Sequence, residues 1–250
     1  CKLNMHRFFI TPENITDKKV FLRGTDVAHI RTVLRLKGGD RIQVLDGRGN
    51  CYTVNLTTVG RDRIESTIFL KEDASNCESP LRICLGQGMV KGTGFDGIVR
   101  KSVELGVDKV VPVSASRCIS KLSQEDAAKK IDRWSRIARE ASKQCGRSRV
   151  PDIGSKSTTV KDFCFVNRES DLKLIFWEEE RSLRIKDLLH INQLNSVAIL
   201  IGPEGGFSSK EVEISRKYGF QSVSLGPRLL RTDTAPLAAI SILQNYWGDL

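Results

Sequence analysis

The apolar positions of this chain follow two patterns that meet near residue 75. Up to about residue 72 they come in short runs with partial period-two alternation, at 6–10, 41–45, 51–56 and 63–70. Such alternation marks half-buried strands. Val27, Ile30 and Leu34 share one helical face behind Thr25 and Asp26, which can cap a short helix. Residues 37–40 (Lys-Gly-Gly-Asp) read as a turn and residues 46–50 (Asp-Gly-Arg-Gly-Asn) as a hairpin loop. Several short strands with one helix predict a small β-barrel. Residues 71–80 are polar and read as a linker, which places the domains at 1–74 and 75–250.

From Leu81 the pattern changes. Apolar runs at 81–85, 109–113, 172–177, 197–201 and 223–225 alternate with helix-like stretches at 95–105, 182–189, 209–218 and 235–247. Between Gln124 and Arg149, Trp134, Ile137, Ala138, Ala141 and Cys145 form one apolar helical face, and Gly146 supplies the end of that helix. Strands alternating with helices predict an α/β domain with a parallel sheet.

Two loops stand out against this frame. Leu200-Ile201-Gly202-Pro203-Glu204-Gly205-Gly206 follows a strand and leads into a helix. Leu225-Gly226-Pro227-Arg228-Leu229-Leu230-Arg231-Thr232-Asp233-Thr234-Ala235 does the same one strand later. Ligands of open α/β sheets bind at the carboxyl ends of strands, so both loops should line one pocket. A third stretch, Gly92-Thr93-Gly94-Phe95-Asp96-Gly97, has the spacing of a dinucleotide fingerprint. The following strand ends at Val113-Ser114 without the acidic residue that would hold a ribose, which argues against a nicotinamide cofactor.

The net charge is +10, from 40 basic and 30 acidic residues, with a pI near 9.4. A polyanionic partner fits that balance. Between 129 and 149 basic residues dominate, with Arg136, Lys143 and Arg147 among them, and this stretch reads as an RNA-contacting surface. The arginines of the first domain, including Arg7, Arg23, Arg31 and Arg35, are compatible with phosphate contacts. The seven cysteines form no C-x-x-C pair, so zinc and redox motifs are unsupported. His6, His29 and His190 lie in unrelated contexts, which leaves a hydrolase triad without support. No metal site is expected. No run is long and apolar enough for a membrane span, residues 1–5 carry no signal-like apolar region, and a cytoplasmic protein is expected.

The two loops, together with His6-Arg7-Phe8-Phe9, Glu104-Leu105-Gly106-Val107 and Gln144-Cys145-Gly146-Arg147 in that order, resemble the bacterial 16S rRNA (uracil-N3)-methyltransferase family. That family belongs to the trefoil-knotted (SPOUT) methyltransferases that use S-adenosylmethionine. The resemblance implies a PUA-like barrel over 1–74, a knotted α/β domain over 75–250, and a homodimer to which the last helix, with Leu237, Ile240 and Leu243, contributes. It implies a cofactor site built from Trp177, Leu200, Ile201, Gly202, Pro203, Glu204, Gly205, Gly206, Leu225, Gly226, Leu230, Arg231, Thr232, Thr234 and Ala235. Its partner would be 16S rRNA in the small ribosomal subunit. Arg231 would steady negative charge on the uracil, and Glu204 or Asp233 would take the N3 proton. The family usually has Glu where Asp233 stands and a basic residue where Gly94 stands, and Lys91 is the nearby cation that can substitute. Three other readings fit the same loops: a knotted methyltransferase acting on another base, one acting on a ribose 2′-hydroxyl, or a non-catalytic RNA-binding assembly factor.

Overall fold

The computed structural model describes residues 5–74, 77–118, 124–188 and 193–250. Cys1, His190 and the end of the helix expected over 182–189 lie outside the described residues. The chain divides into two compact units, residues 1–78 with 142–150, and residues 79–141 with 151–250. The division is therefore not a single cut in the sequence, because 142–150 packs with the first unit.

The first unit is a five-stranded sheet. Strands β1 (Arg7–Phe9), β2 (Lys19–Arg23), β3 (Arg41–Leu45), β4 (Asn50–Val59) and β5 (Arg63–Asp73) lie in the order β1-β3-β4-β5-β2. β1 runs parallel to β3, and the other pairs are antiparallel. One face gathers Phe8, Val20, Leu22, Ile42, Val44, Val54, Leu56 and Ile64 into a core. Helix α1 (Thr25–Ala28), continued by a π-helical turn at His29–Val33, adds Val27 and Ile30 to it. The helix is entered through Gly24, not capped by Thr25, because the chain turns there at φ 71°. β2 gave no signal in the sequence beyond three consecutive apolar residues, Val20, Phe21 and Leu22. The hairpin between β3 and β4 forms as its chemistry predicts. The Asp46 carboxylate accepts the amides of Arg48 and Asn50 at 2.8 and 3.1 Å.

Residues 71–80 are more than a linker. β5 continues to Asp73, and the carboxylate of Glu78 anchors the segment after Gly146. It accepts Arg147 Nε and Nη2 at 3.1 and 2.7 Å, and the amides of Ser148 and Arg149 at 2.8 and 2.9 Å. Arg147 is only 5% exposed.

The second unit is a parallel sheet. Its strands are β6 (Arg82–Gly88), β7 (Lys109–Ser114), β8 (Asp152–Ile153), β9 (Thr158–Thr159), β10 (Leu172–Phe176), β11 (Ser196–Ile201) and β12 (Gln221–Val223). The order is β12-β10-β11-β6-β7-β8, with β9 also on β7. Helices α2 (Gly94–Glu104), α3 (Gln124–Cys145), α4 (Val160–Val166), α5 (Ser209–Lys217) and α6 (Ala235–Trp247) alternate with the strands. β11 lies between β10 and β6 and is apolar and buried from Val197 to Ile201, as suits a parallel strand covered on both faces. α4 and α5 pack together, and α2 packs with α6. Residues 142–145, the end of α3, belong to the first unit. Gly146 ends α3 at φ 88°, and its amide and that of Arg147 both reach Ser142 O at 3.1 Å.

The path of the C-terminal strands makes the knot. The chain leaves β10 and runs outward, so that residues 183–185 pair with Ser224. β12 comes later in sequence, yet it is inserted between β10 and this excursion. The chain then crosses back past β10 and β11 to place α6 against α2 and β6.

Candidate active site

Four strands end on one side of the second unit, and the segments that follow β6, β10, β11 and β12 enclose one cleft of about 860 Å³. Its walls are Val90, Lys91, Gly94 and Ile98 after β6, and Phe176 to Glu179 with Arg181 after β10. Ile201–Gly206 after β11 and residues 223–233 with Ala235 after β12 complete it.

The loops are tied to one another by few bonds. Thr232 Oγ1 donates to Gly202 O at 2.6 Å, which joins the two Gly-rich loops. Glu204 Oε1 accepts the amide of Lys91 at 3.0 Å, which joins the β11 loop to the β6 loop. Gly88 must be glycine, since a Cβ there would stand 2.4 Å from Pro203 N. Gly206, at φ 67°, lies against the Glu178 carboxylate and leaves no room for a side chain. The cleft floor is held from behind by α5. Ser208 and Glu211 form a capping box, and Glu211 also accepts the amide and hydroxyl of Ser116 at 2.7 and 2.8 Å. Burial raises the Glu211 carboxyl, but the bonds from Ser208 and Ser116 outweigh it and hold the group below its ordinary value. The Glu180 carboxyl is also lowered, chiefly by the Ser222 hydroxyl at 2.5 Å, a bond that fastens the β10 loop to β12.

Several donors stay unused. Among the described residues, the amides of Leu225, Leu230 and Thr232 meet no acceptor, and the buried Nε1 of Trp177 has none either. Apolar Ile98, Phe176, Ile201, Val223, Leu225 and Leu230 stand around them. Free backbone donors between apolar walls are the chemistry that a purine ring requires: its faces pack while its edge hydrogen-bonds. The residues present fit the adenosyl part of S-adenosylmethionine.

Among the expected cofactor residues, Trp177, Ile201 to Gly206, Leu225, Gly226, Leu230, Arg231, Thr232 and Ala235 line the cleft. Leu200 is buried in the core behind it and Thr234 is exposed as the N-cap of α6; neither forms its wall. Of the expected catalytic groups, Arg231 is exposed and has no ion pair among the described residues. Asp233 carries one long contact, from the Thr234 hydroxyl at 3.3 Å. Glu204 has one oxygen committed to the Lys91 amide.

The expected RNA contacts separate into two groups. Arg23, Arg31, Arg35, Lys91 and Arg136 are exposed. Arg147 is committed to Glu78, and Lys143 Nζ lies 3.3 Å from Asp26 and 5.5 Å from the centre of the Phe8 ring. Arg7 donates to Gln43 Oε1 at 3.0 Å and its guanidinium presses on Gly146. These three hold the first unit together. Sequence reasoning missed Ile98 and Phe176, whose apolar side chains carry no local mark of a cleft.

Among the described residues no His, Cys, Asp and Glu are grouped to hold a metal, and no helix is long and apolar enough to cross a membrane. None of the six described cysteines is in a disulfide. Burial raises the thiols of Cys84 and Cys164 to about 12 and that of Cys51 to about 11, so they act as small apolar groups.

A knotted parallel sheet with this cleft, joined to a PUA-like sheet, defines a class. The profile of the RNA methyltransferase domain matches residues 77–244, and that of the RNA methyltransferase PUA domain matches 22–69. The chain belongs to the family of ribosomal RNA small subunit methyltransferase E. The Bacillus subtilis protein of that name is 33% identical, over 98% of each chain. That of Buchnera aphidicola from Schizaphis graminum is 35% identical, over 89% of this chain and 88% of its own. Among solved structures, the Neisseria gonorrhoeae enzyme of the same name, bound to S-adenosylmethionine, is 37% identical with a TM-score of 0.88, over 98% and 99% of the chains. A methyltransferase of Legionella pneumophila, also with bound S-adenosylmethionine, gives 33% and 0.90, over 99% and 100%.

Proposed function

We propose that this chain transfers the methyl group of S-adenosylmethionine to N3 of a uridine in 16S rRNA of the small ribosomal subunit. The observation that carries this reading is the cleft itself, with unused amides between apolar walls beside an exposed Arg231. When bound, the cofactor supplies an electrophilic methyl group on a sulfonium. The chain's own residues must position it, exclude water and deal with the N3 proton.

Trp177, Leu225, Leu230 and the loop at Ile201–Gly206 hold the cofactor. Uracil N3 carries a proton and is a poor nucleophile until it leaves. Arg231 places its guanidinium against the charge that develops on the uracil oxygens. Asp233 accepts the proton, since its carboxylate carries only the long Thr234 contact. Glu204 serves as the clamp that fixes Lys91 and Gly94 at the cleft wall. The first unit holds RNA through exposed cations such as Arg23, Arg31 and Arg35, with Lys91 and Arg136 adding contacts from the second. The working enzyme is a cytoplasmic homodimer. Ile240 and Leu243 are fully buried within the chain, so the α6 contribution to a dimer falls to its exposed end at Tyr246.

The test is to incubate small subunits lacking N3-methyluridine with labelled S-adenosylmethionine, then digest the RNA. Labelled 3-methyluridine is the expected product. Label in another nucleoside would retain the cofactor and overturn the target, and cofactor binding without label would leave an RNA-binding factor.

A further inference from the structure

The sheet of the first unit has a second face. Its inner face is covered by α1; its outer face is buried at Phe9, Leu45 and Cys51 but exposed toward β2 and β5, at Lys19, Arg63, Thr67 and Phe69. The strand register sets Arg41, Asn55, Thr67 and Lys19 in one row across β3, β4, β5 and β2. Arg41 Nε donates to Asn55 Oδ1 at 3.0 Å, and its guanidinium lies 4.3 Å from the centre of the Phe69 ring. Phe69 is 58% exposed. On β2 and the facing end of β5, the Arg63 guanidinium lies 4.6 Å from the Phe21 ring centre and pairs with Glu65. Two guanidinium–ring pairs thus stand on one exposed side of a single sheet.

We propose that this face is a stacking platform for unpaired bases of a single-stranded RNA segment, separate from the cleft. A guanidinium fixed over a ring extends the stack by one layer, onto which a base can add. The asparagine that orients Arg41 keeps that layer in place. Lys19, Arg41 and Arg63 against Glu65 give the positive charge that a phosphate backbone needs. Duplex RNA keeps its bases stacked on each other and offers none to the ring. The platform rests on the reading of this chain as an RNA methyltransferase and names the part of the RNA that the first unit holds.

The full-length chain is titrated by fluorescence anisotropy with a labelled oligouridine of about 12 nucleotides and with a duplex of equal length. Phe69→Ala, on an exposed ring, should weaken single-strand binding about tenfold and leave the duplex unchanged. Phe69→Tyr should restore binding, since the ring is retained. The variant's affinity for S-adenosylmethionine should match the wild type. Unchanged single-strand binding, or an equal loss on the duplex, would overturn the proposal. So would a change in sedimentation without one in RNA affinity, which would assign the face to a second copy of the chain. Loss of single-strand binding in Phe69→Ala, when the wild type forms no 3-methyluridine, would support the platform and sink the methylation reading alone.

Discussion

At the scale of single residues, Glu204 and Asp233, two of the carboxylates that line the cleft, have separable duties. Glu204 needs only an acceptor atom to hold the Lys91 amide, and glutamine provides one. Glu204→Gln should therefore keep turnover near wild type. Asp233→Asn should lower kcat by about a hundredfold or more, as loss of a proton acceptor does, while Asp233→Glu should remain active. Steady-state methylation of small subunits checks all three, and the opposite ranking of Glu204→Gln and Asp233→Asn would transfer the role to Glu204. Arg231→Ala should reduce kcat with little effect on cofactor affinity measured by calorimetry; loss of cofactor binding alone would contradict the charge-stabilising role. In the first unit, Glu78→Ala removes the carboxylate that accepts the nearly buried Arg147 guanidinium and the amides of Ser148 and Arg149. Breaking such a pair costs about 3–5 kcal/mol, which denaturant unfolding would read as a lower midpoint.

Among the elements, α5 matters most to the site, because its first turn supports the loop at Ile201–Gly206. Ser208→Ala removes one half of the capping box and should cost about 1 kcal/mol. The other half is Glu211, whose carboxyl is held below its unfolded value by its hydrogen bonds. A depressed carboxyl contributes stability that is complete above the unfolded value of about 4.5 and is lost as pH falls through the lower folded value. Thermal unfolding of Glu211→Gln should therefore differ most from the wild type at neutral pH, with the two converging in acid. A gap that widens below pH 4 would mean that the sign is wrong. α6 began as a candidate interface helix. Its Ile240 and Leu243 face the chain's own core, and Tyr246 and Leu250, 51% and 59% exposed, are the apolar groups left near its end.

For the whole molecule, the net charge of +10 sets how RNA binding responds to salt. Each neutralised phosphate adds a slope of about −0.7 on a single strand when log affinity is plotted against log salt. A slope near zero on single-stranded RNA would remove phosphate contact from the account. Tyr246→Glu should shift sedimentation toward the monomer, and an unchanged dimer would place the interface elsewhere.

Local patterns along the chain specified most of the elements and their class. Apolar runs of the length of a buried strand, alternating with 3.6-period stretches, marked a parallel sheet, and β3 and α6 appeared at the residues expected. The two Gly/Pro loops were legible as ligand loops because local backbone chemistry puts such residues at strand ends. What the sequence could not show depends on contacts between distant positions. The place of β12, beside β10 and next to the segment at 183–185, is set by pairings such as Arg184 with Ser224, 40 residues apart, which no local pattern records. Glu78 looked like part of a linker, and Arg147 like an RNA contact, until the fold brought them together across 69 residues. Ile98 and Phe176 became cleft walls, and Phe69 and Arg41 became neighbours, for the same reason. Local sequence specifies which way a residue faces along its own element, and only the packing of elements decides what it meets there.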